Sequence, residues 1–589
     1  MRLFLTLLLL AISLRAELTT DQKLVDFQYL AALYNKHYAP DEWKLQLFNF
    51  NLFDLAPWTA RVRQSKTDLE FYDICVDYVA SLNDSHNSFT LPSNFYAYLP
   101  IAADIYEGKI LIDFIDRTSL PGNAFPFRIG DELVSVDGRP ALELTEAWQR
   151  YSVNGLGNPG TRRRFAVGTI TDRIQQFFPF AAQIGATALV EVRNADGEVN
   201  AYVMPWTKLG TPLTTAGTFR QAQNTAPETT NRVDLLKVRG YEFEGEQPNP
   251  WGLDLSSKPE ADPEFVPAYL QTLRELQTSA AQASTYGVAD FGALAPAYNP
   301  PAGFVRRLGG ANTDFFLSGT YPAGNRRIGF IRIPTFVPTN TNAAINQFAG
   351  EMVFLQANTD ALVIDVMRNG GGNLCYAEAL HRLLQTGTFR SAAYEIRVTN
   401  FWINVFSSSL RNARAARAEQ WIIDLYQNYT DGLVSAMQEN RPRTGDLPIC
   451  GPTFDDIEPR RAPNGDLLGY TKPILVLVDS LSNSAAEWFP AALQDAGRAT
   501  IFGQRTNGAG GNPASYTATA FSEAFTRVTR TFVTRARPVT TPGFPATRYI
   551  ENVGVYPDVP GELMTKENLL NGGRPFTQSF TGEVLKLLP

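Results

Sequence analysis

One segment of the chain reads Pro473-Ile-Leu-Val-Leu-Val-Asp-Ser-Leu-Ser-Asn-Ser484-Ala-Ala-Glu-Trp-Phe-Pro-Ala-Ala-Leu-Gln-Asp495. Its apolar first part predicts a buried strand, the small polar residues predict a turn, and the rest predicts a helix that begins at Ser484. At a helix N-terminus, free backbone N–H groups and the helix dipole favour negative charge. A serine nucleophile needs such surroundings, because the tetrahedral intermediate of acyl transfer carries an oxyanion. We therefore interpret Ser484 as a candidate nucleophile.

The same residues also permit a purely structural interpretation. Ser484 and Glu487 form the pattern Ser-x-x-Glu, a capping box that begins many helices. In that case the serine only satisfies backbone groups of the first helical turn. Other segments of the chain favour the catalytic interpretation.

The segment around Ser484 resembles the nucleophile segment of the C-terminal-processing (tail-specific) and tricorn-type serine peptidases. The resemblance extends to Leu82-Asn-Asp-Ser-His-Asn-Ser-Phe89, Ile328-Gly-Phe-Ile-Arg-Ile-Pro-Thr-Phe336 and Ala361-Leu-Val-Ile-Asp-Val-Met-Arg-Asn-Gly-Gly-Gly372. It implies an α/β multidomain protein with an N-terminal helical region, a PDZ-like β-domain and a C-terminal α/β protease core of the crotonase/ClpP type. It also implies peptide-bond hydrolysis through an acyl-enzyme.

One position distinguishes two branches of that family. Peptidases of the Ser–Lys type carry their general-base lysine in a Gly-Lys-Gly turn, and the corresponding residues here are Gly508-Ala509-Gly510. The surrounding segment, Arg505 to Gly511, is instead similar to the branch of the chlamydial protease-like activity factor (CPAF), which uses Ser, His and Glu. We therefore expect a Ser-His-Glu site.

The chain has three histidines, His37, His86 and His381. His86 lies at the position of the family's histidine, and imidazole is the usual group that takes a serine proton near neutral pH. An unperturbed imidazole predicts activity that rises through about pH 6–7. His37 and His381 lie in ordinary helical contexts.

Two further side chains near these motifs are candidates. Glu551, in Arg548-Tyr-Ile-Glu-Asn-Val-Gly-Val-Tyr-Pro-Asp558, resembles the family's glutamate, and a carboxylate fixes the tautomer of a catalytic histidine. The alternative is a solvated glutamate at a strand end. Ser85 matches an additional serine of the tricorn-type site, but a serine there can equally cap a turn.

The oxyanion needs two backbone donors. The amide of Ala485 follows the nucleophile at the start of the helix. The turn Gly370-Gly371-Gly372 comes directly after an apolar strand, and glycines allow close approach of the backbone to a ligand. The resemblance implies that one of these three glycines supplies the second amide, although such a tripeptide is also typical of a flexible turn.

The segments of the chain differ in composition. Residues 1–16 have a basic residue and a short apolar run, which predicts a signal peptide. Residues 17–99 are predicted to be helical and to carry His86, and 100–208 contain Gly130-Asp-Glu-Leu-Val-Ser-Val-Asp-Gly138, which resembles a PDZ signature. Residues 209–325 predict a long insert that an active protease would cut, and 326–589 predict the catalytic core with alternating strands and helices.

Composition limits the classes of partner. The 589 residues carry a formal net charge of −7, which argues against nucleic acid as a partner. Beyond residues 1–16 no apolar run is long enough to span a membrane. Three cysteines do not make a disulfide framework and lack metal-ligand spacing, so we expect no cofactor and no metal.

These observations predict an exported serine endopeptidase that acts on a protein or peptide substrate. They leave a homodimer open. One alternative is a catalytically silent PDZ-type peptide-binding protein, in which Ala509 marks the decay of the site. Another is an esterase that uses the same triad.

Overall fold

The computed structural model describes residues 17–152, 157–216, 292–462 and 464–589. The predicted signal peptide 1–16 lies outside the described residues. So do residues 217–291, which make up most of the predicted insert and of its expected self-cleavage region.

The N-terminal region is mainly helical, in agreement with the predicted fold class. Its elements are helices α1 Thr20–His37, α2 Asp41–Phe48, α3 Ala56–Gln64 and α4 Asp68–Ala80, followed by strands β1 Ser88–Thr90 and β2 Tyr96–Tyr98. Thr19 and Thr67 begin α1 and α4 as N-caps that accept backbone hydrogen bonds. The helices bury large side chains such as Phe27, Tyr34 and Tyr72 in one core with the next domain.

The second domain is an antiparallel β-sheet with two helices. Its elements are β3 Ile101–Tyr106, β4 Lys109–Ile115, β5 Glu132–Val136, β6 Arg139–Pro140, α5 Ala141–Trp148, a 3₁₀ turn Gln149–Tyr151, α6 Pro159–Thr171, β7 Asp172–Ile174, β8 Thr187–Arg193, β9 Val199–Pro205 and β10 Thr207–Leu209. The main sheet has the order β3-β4-β5-β8-β9, and β6 pairs with β5. A small sheet of order β10-β2-β7 joins this domain to the N-terminal region.

The C-terminal core alternates strands and helices. Its first elements are β11 Val305–Leu308, β12 Leu317–Ala323, β13 Arg326–Arg332, α7 Thr341–Asn358, β14 Ala361–Asp365, α8 Leu374–His381, β15 Ala393–Ile396, α9 Asn400–Ala415, α10 Gln420–Gln438 and β16 Leu447–Pro448. The remaining elements are β17 Ile474–Val478, α11 Ala485–Asp495, β18 Thr500–Gly503, β19 Pro513–Thr517, β20 Phe525–Thr529, β21 Thr531–Val539, β22 Thr547–Tyr549, β23 Val559–Pro560, α12 Lys566–Leu570 and α13 Arg574–Lys586.

A seven-stranded sheet of order β11-β12-β13-β14-β17-β18-β23 organises the core. From β13 to β23 the neighbours are parallel, with Ile328 opposite Ala361 and Leu362 opposite Ile474. Every residue of β14 and β17 is buried, as expected for strands covered by helices on both faces. The carboxyl ends of β14 and β17 therefore meet at one edge, which is the usual place for a ligand.

The sheet begins earlier than the sequence predicted. Strands β11 and β12 lie inside the predicted insert 209–325, yet β12 pairs with β13 along its whole length. Gly324 and Asn325 form the two-residue connection, and Gly324 has a φ of +62°. The short Gly-Asn turn joins β12 and β13 into one β-hairpin. The predicted boundary at Arg326 therefore lies inside this hairpin.

Two smaller sheets connect distant parts of the chain. One has the order β1-β20-β19, in which Phe89 pairs with Thr526 of the core. The other has the order β16-β15-β21-β22. The first sheet fixes the segment that carries His86 against the C-terminal core.

One disulfide joins Cys375 at the start of α8 to Cys450 after β16, and Cys75 is a buried free thiol. The low cysteine count had not predicted this bond. Within the described ranges, none of the helices combines the length and the apolar character that crossing a membrane requires.

Candidate active site

Ser484 has an unusual backbone for a residue that begins a helix. Its φ is +57° and its ψ is −118°. The N-caps Thr67, Asn340 and Thr399 all have extended backbones, which is the ordinary cap conformation. A positive φ at a serine costs about 1–3 kcal/mol and is found mainly at functional sites. The geometry therefore differs from that of a simple cap.

The buried carboxylate of Glu487 fixes the nucleophile segment to the loop after β18. It accepts hydrogen bonds from the Ser484 amide at 2.9 Å, the Thr506 hydroxyl at 2.6 Å, and the amides of Gly508 and Ala509 at 2.6 and 2.7 Å. Burial raises the pKa of Glu487, and the Thr506 hydrogen bond opposes that rise. The sequence indicated only a helix-capping role for Glu487. In the structure its carboxylate also holds the turn Gly508-Ala509-Gly510, in which Ala509 stands where the Ser–Lys peptidases have a lysine.

The glycine turn lies directly against Ser484. A Cβ on Gly371 would lie 2.6 Å from the Ser484 Cβ and 3.0 Å from the Ala485 nitrogen, and Gly371 has a φ of +90°. Only glycine permits this approach. The Gly371 amide itself donates to Asn369 Oδ1 at 2.8 Å. The candidate donors to an oxyanion are therefore the amides of Gly370 and Gly372 in this turn and the amide of Ala485 at the start of α11.

His86 lies between α4 and β1 and is buried. Its backbone amide donates to Asp84 Oδ1 at 2.8 Å, and Asp84 also accepts from the Thr529 and Tyr38 hydroxyls at 3.0 and 3.1 Å. Burial lowers the pKa of His86 to about 4, although Asp84 acts to raise it. The imidazole is therefore neutral at physiological pH and can accept a proton.

Ser484 and His86 share one cavity. It is open to solvent, has a volume of about 400 Å³, and is lined by both side chains and by Gly370, Gly371 and Gly372. The fold therefore brings together the predicted nucleophile, the predicted base and the predicted oxyanion turn.

Glu551 lies beside His86 but is held by other groups. Its Oε2 accepts a hydrogen bond from the Gly510 amide at 2.8 Å, and its Oε1 lies 2.5 Å from Lys44 Nζ. Ligating atoms of Asp84, His86 and Glu551 all lie within 4.8 Å of one another, but His86 Nδ1 has no hydrogen-bond partner within the described chain. Burial and Asp84 raise the pKa of Glu551, and Lys44 opposes that rise.

Lys44 was not predicted as part of the site. It lies on α2, and its side chain is fully buried. The ammonium donates to Asn552 Oδ1 at 2.6 Å and to the Asn83 carbonyl at 2.9 Å, in addition to Glu551. A short helix with one lysine gives no signal in the sequence. The structure therefore places a buried cation next to the predicted carboxylate.

A second cavity adjoins Ser484 on its other side. It has a volume of about 220 Å³ and is lined by Ser484, the Gly372–Cys375 segment and several apolar side chains. Its apolar walls are Tyr394, Ile449, Trp488, Val533 and Ile550. Among the described residues, no charged side chain lines this cavity, so it suits an uncharged, apolar group.

Comparison with known proteins assigns the core to a family. Residues 327–395 and 392–560 match the sequence profile of Peptidase family S41, and residues 95–213 match that of the PDZ domain. The chain carries an S41 peptidase domain. The predicted resemblance and fold class are thereby confirmed.

Chlamydia species have proteins that are similar to this chain over most of its length. A Chlamydia pneumoniae protein is 24% identical over 533 residues, which cover 84% of this chain and 80% of that protein. A Chlamydia trachomatis serovar D protein is 25% identical over 525 residues, or 84% and 82%. The structure of mature CPAF complexed with lactacystin is 19% identical, with a TM-score of 0.68 over 96% of this chain and 99% of that chain. This likeness extends the shared fold over nearly the whole chain.

The other candidate residues lie away from the cavity that Ser484 and His86 line. Ser85 donates to Asn507 Oδ1 at 2.9 Å and so contacts the loop after β18. His37 stacks on Tyr516, and His381 lies among Phe389 and other aromatic rings. Neither of these histidines lines the cavity.

The cluster of Asp84, His86 and Glu551 also has the spacing of metal ligands. The Lys44 ammonium contacts the same carboxylate of Glu551 that a metal ion would use. Lys44 therefore supplies a cation at this position, and the three side chains suit a histidine beside carboxylates better than they suit a metal ion.

Proposed function

We propose that this protein is a serine endopeptidase in which Ser484 is the nucleophile and His86 is the general base and acid. Glu551 supports His86. The observation that carries the proposal is that Ser484 and His86 line one cavity, although they come from opposite ends of the chain. The S41 profile of the core supports peptide bonds as the substrate.

The surroundings suit each step of acyl transfer. Neutral His86 takes the Ser484 proton as the hydroxyl oxygen attacks the carbonyl carbon of the peptide bond. The amide of Ala485 and that of Gly370 or Gly372 donate to the oxyanion. His86 then gives its proton to the leaving amine, and an acyl-enzyme remains. A water molecule, deprotonated by His86, then attacks the ester carbon, and His86 returns that proton to the Ser484 oxygen as the carboxylic acid product leaves.

Lys44 supports the carboxylate in this scheme. When His86 takes a proton, a nearby negative charge stabilises the imidazolium. Burial alone would favour the neutral form of Glu551, whereas an ammonium at 2.5 Å favours the carboxylate. Lys44 therefore lowers the pH at which Glu551 takes the form that the step requires.

We also propose that the protein is exported. Residues 1–16 have the pattern of a signal peptide, and the Cys375–Cys450 disulfide is typical of an oxidising compartment. Cell fractionation with N-terminal sequencing tests this part, and a chain that stays in the cytoplasmic fraction with Met1 as its N-terminus would contradict it.

A fluorophosphonate probe tests the nucleophile. We expect the probe to label the wild-type chain and peptide cleavage to be detectable, whereas Ser484→Ala should lose both by at least about 10⁴-fold. The matched control is Ser482→Ala. Ser482 Oγ donates to the Val366 carbonyl at 2.9 Å, so its loss should lower stability but leave labelling intact.

Each alternative gives a different result in this test. A silent peptide-binding protein would not react with the probe. An esterase would react and cleave esters but would leave peptides intact. Labelling that persists in Ser484→Ala would show that Ser484 is only a helix cap.

A further inference from the structure

A disulfide lies in the wall of the apolar cavity beside Ser484. Cys375, the second residue of α8, lines that cavity of about 220 Å³, and so does Ile449, the neighbour of Cys450. The bond holds the Cα atoms of Cys375 and Cys450 5.1 Å apart, although the two residues are 75 positions apart in sequence. It therefore joins two parts of the cavity lining, the α8 wall (Gly372–Cys375) and the Ile449 wall (Ile449).

The α8 wall is also held by the core without the disulfide. Asn373 begins α8, and its Oδ1 accepts the amides of Cys375 and Tyr376 at 2.8 and 3.1 Å. The Asn373 amide donates to the Phe336 carbonyl at 2.9 Å. Phe336 and Tyr376 are themselves buried. This wall should therefore keep its place when the disulfide is broken.

The Ile449 wall depends more on the disulfide. Ile449 directly follows β16, which has only two residues and pairs with β15 through two residue pairs. Further along the chain, the Ser391 amide donates to the Phe454 carbonyl at 2.7 Å. Cys450 lies between these two attachments, so the disulfide adds a covalent tie in the middle of that span.

The disulfide is accessible, whereas the third cysteine is not. Cys375 and Cys450 are each only partly buried, while Cys75 is fully buried in the N-terminal core. Burial raises the pKa of the Cys75 thiol. Exchange requires a thiolate that can reach a sulfur of the disulfide. A small thiol in solution can therefore attack the bond, and Cys75 does not compete for it.

We propose that the Cys375–Cys450 disulfide fixes the width of this cavity and makes the choice of substrate side chain sensitive to redox conditions. In the oxidised chain the bond holds the Ile449 wall close to the α8 wall, so that the cavity fits an apolar side chain closely. After reduction the Ile449 wall moves away and the cavity becomes less selective. The inference rests on the proposed peptidase function, because the selectivity is measured in cleavage.

A dithiol is the class of reductant that breaks the bond. One of its thiolates attacks a sulfur of the disulfide, the S–S bond breaks, and the first cysteine leaves as a thiolate that takes up a proton. The second thiol of the reductant then attacks the mixed disulfide and releases the other cysteine in the same way. The reductant becomes a cyclic disulfide, and Cys375 and Cys450 each gain one electron and one proton.

The groups proposed for the chemical step lie apart from the bond. Among the described residues, the cavity that Ser484 shares with His86 is lined by neither cysteine and not by Ile449. Loss of the disulfide also lowers stability, because the bond restricts the unfolded chain. The ratio of activities on two substrates separates the effects, since a smaller folded fraction lowers both activities equally.

The experiment compares the oxidised full chain with the same chain after treatment with dithiothreitol. We expect kcat/KM for a Leu peptide relative to the matched Ala peptide to fall at least about threefold on reduction. The rate of labelling by a fluorophosphonate should stay within a few-fold, and reoxidation should restore the ratio. Alkylation of a separate sample and mass spectrometry count the free thiols. An unchanged ratio in a chain with both cysteines reduced would overturn the proposal.

Variants locate the effect in the bond and in the Ile449 wall. The double variant Cys375→Ala, Cys450→Ala should have the low ratio without dithiothreitol and should not respond to it. Cys75→Ala is the control and should keep both the wild-type ratio and its response. A folded double variant with the wild-type ratio would overturn the proposal.

If the double variant fails to fold, Ile449→Ala tests the same wall. This variant should have a low ratio before reduction and show no further fall after it, because the side chain that the bond positions is absent. A further fall of threefold or more in Ile449→Ala would contradict the role of the Ile449 wall.

The outcomes for this inference and for the proposed function can be distinguished. An oxidised wild-type chain that neither reacts with the probe nor cleaves peptides would overturn both. An oxidised chain that cleaves Leu peptides preferentially, and keeps that preference when fully reduced, would overturn the disulfide inference alone.

Discussion

The two sides of the candidate site are built in different ways. The nucleophile side, which comprises Ser484, Glu487 and the glycine turn 370–372, comes from the carboxyl ends of adjacent parallel strands in one buried sheet. The histidine side comprises Lys44, Asp84, His86 and Glu551. Lys44 and Glu551 are 507 residues apart in sequence, and the pairing of β1 with β20 holds the two ends of the chain together.

The two sides also differ in what stabilises them. On the nucleophile side the single buried carboxylate of Glu487 is satisfied by backbone and hydroxyl donors. On the histidine side, buried charges balance one another, and removal of one partner leaves another uncompensated. Changes on the histidine side should therefore alter the pH dependence, whereas changes on the nucleophile side should alter rate or specificity at every pH.

The largest expected effect on the histidine side comes from His86→Ala. Loss of the base should lower kcat at least about a thousandfold, because no other described histidine lines the cavity. His381→Gln is the control, and its turnover per folded molecule should stay within a few-fold of the wild type. Steady-state kinetics with folding checked by circular dichroism measure both. Near-normal turnover of His86→Ala would refute the triad.

Glu551→Gln should lower kcat about a hundredfold at pH values above the Glu551 ionisation, where the wild-type side chain is a carboxylate, because the amide cannot supply the negative charge. The pH profile gives the sharper test. Burial lowers the pKa of His86 to about 4 and raises that of Glu551. A rise of activity near or above neutral pH therefore reports ionisation of Glu551, whereas the sequence alone assigned a rise at pH 6–7 to histidine. The rise should be absent from Glu551→Gln, and its persistence there would contradict this assignment.

Lys44→Met should lower activity at pH 7 by about ten- to a hundredfold. Without the ammonium the pKa of Glu551 rises further, so the carboxylate forms only at higher pH and the acid limb of the profile should move upward. Lys44→Arg should restore part of the activity, because it keeps the positive charge.

Lys23→Met is a matched control for Lys44→Met. Lys23 is also buried and pairs with Asp68 at 3.4 Å, but it lies outside the site. Its loss should reduce thermal stability without moving the pH profile. An equal shift in both variants would show that Lys44 acts through stability alone.

The nucleophile side was the easier side to predict from sequence. Ser484 and the glycine turn lie in continuous segments, where an apolar strand, a small polar turn and a helix follow one another. Such local patterns follow from periodicity and turn chemistry. The α/β multidomain fold could be predicted for the same reason, and it is confirmed.

The histidine side could be predicted only where a family motif exists. His86 and Glu551 were predicted through motifs, whereas Lys44 and the environment of Asp84 depend on contacts between distant segments. A buried ion pair leaves no periodic pattern in either segment. The Cys375–Cys450 bond was missed for the same reason, since its partners lie 75 residues apart.

The smallest expected effect concerns the side-chain cavity beside Ser484. Because the part of the chain that the structure describes lines this cavity with apolar side chains and with no charged ones, a peptide residue such as Leu should be preferred before the cut bond. We expect kcat/KM for Leu to exceed that for Ala by about tenfold and that for Lys or Glu by more, since a buried charge would find no partner there. Cleavage of Lys or Glu peptides at the Leu rate would contradict this specificity.

The size of that cavity can be changed through Val533, which is buried on β21 and forms part of its wall. Val533→Ala enlarges the cavity and should shift the preference from Leu towards Phe by a few-fold at every pH, because no titrating group is involved. The control is Val353→Ala, which changes an exposed valine on α7 and should leave the ratio unchanged. A shift that depends on pH would mean that the nucleophile side is coupled to the charges around His86, and the two sides would then not be independent.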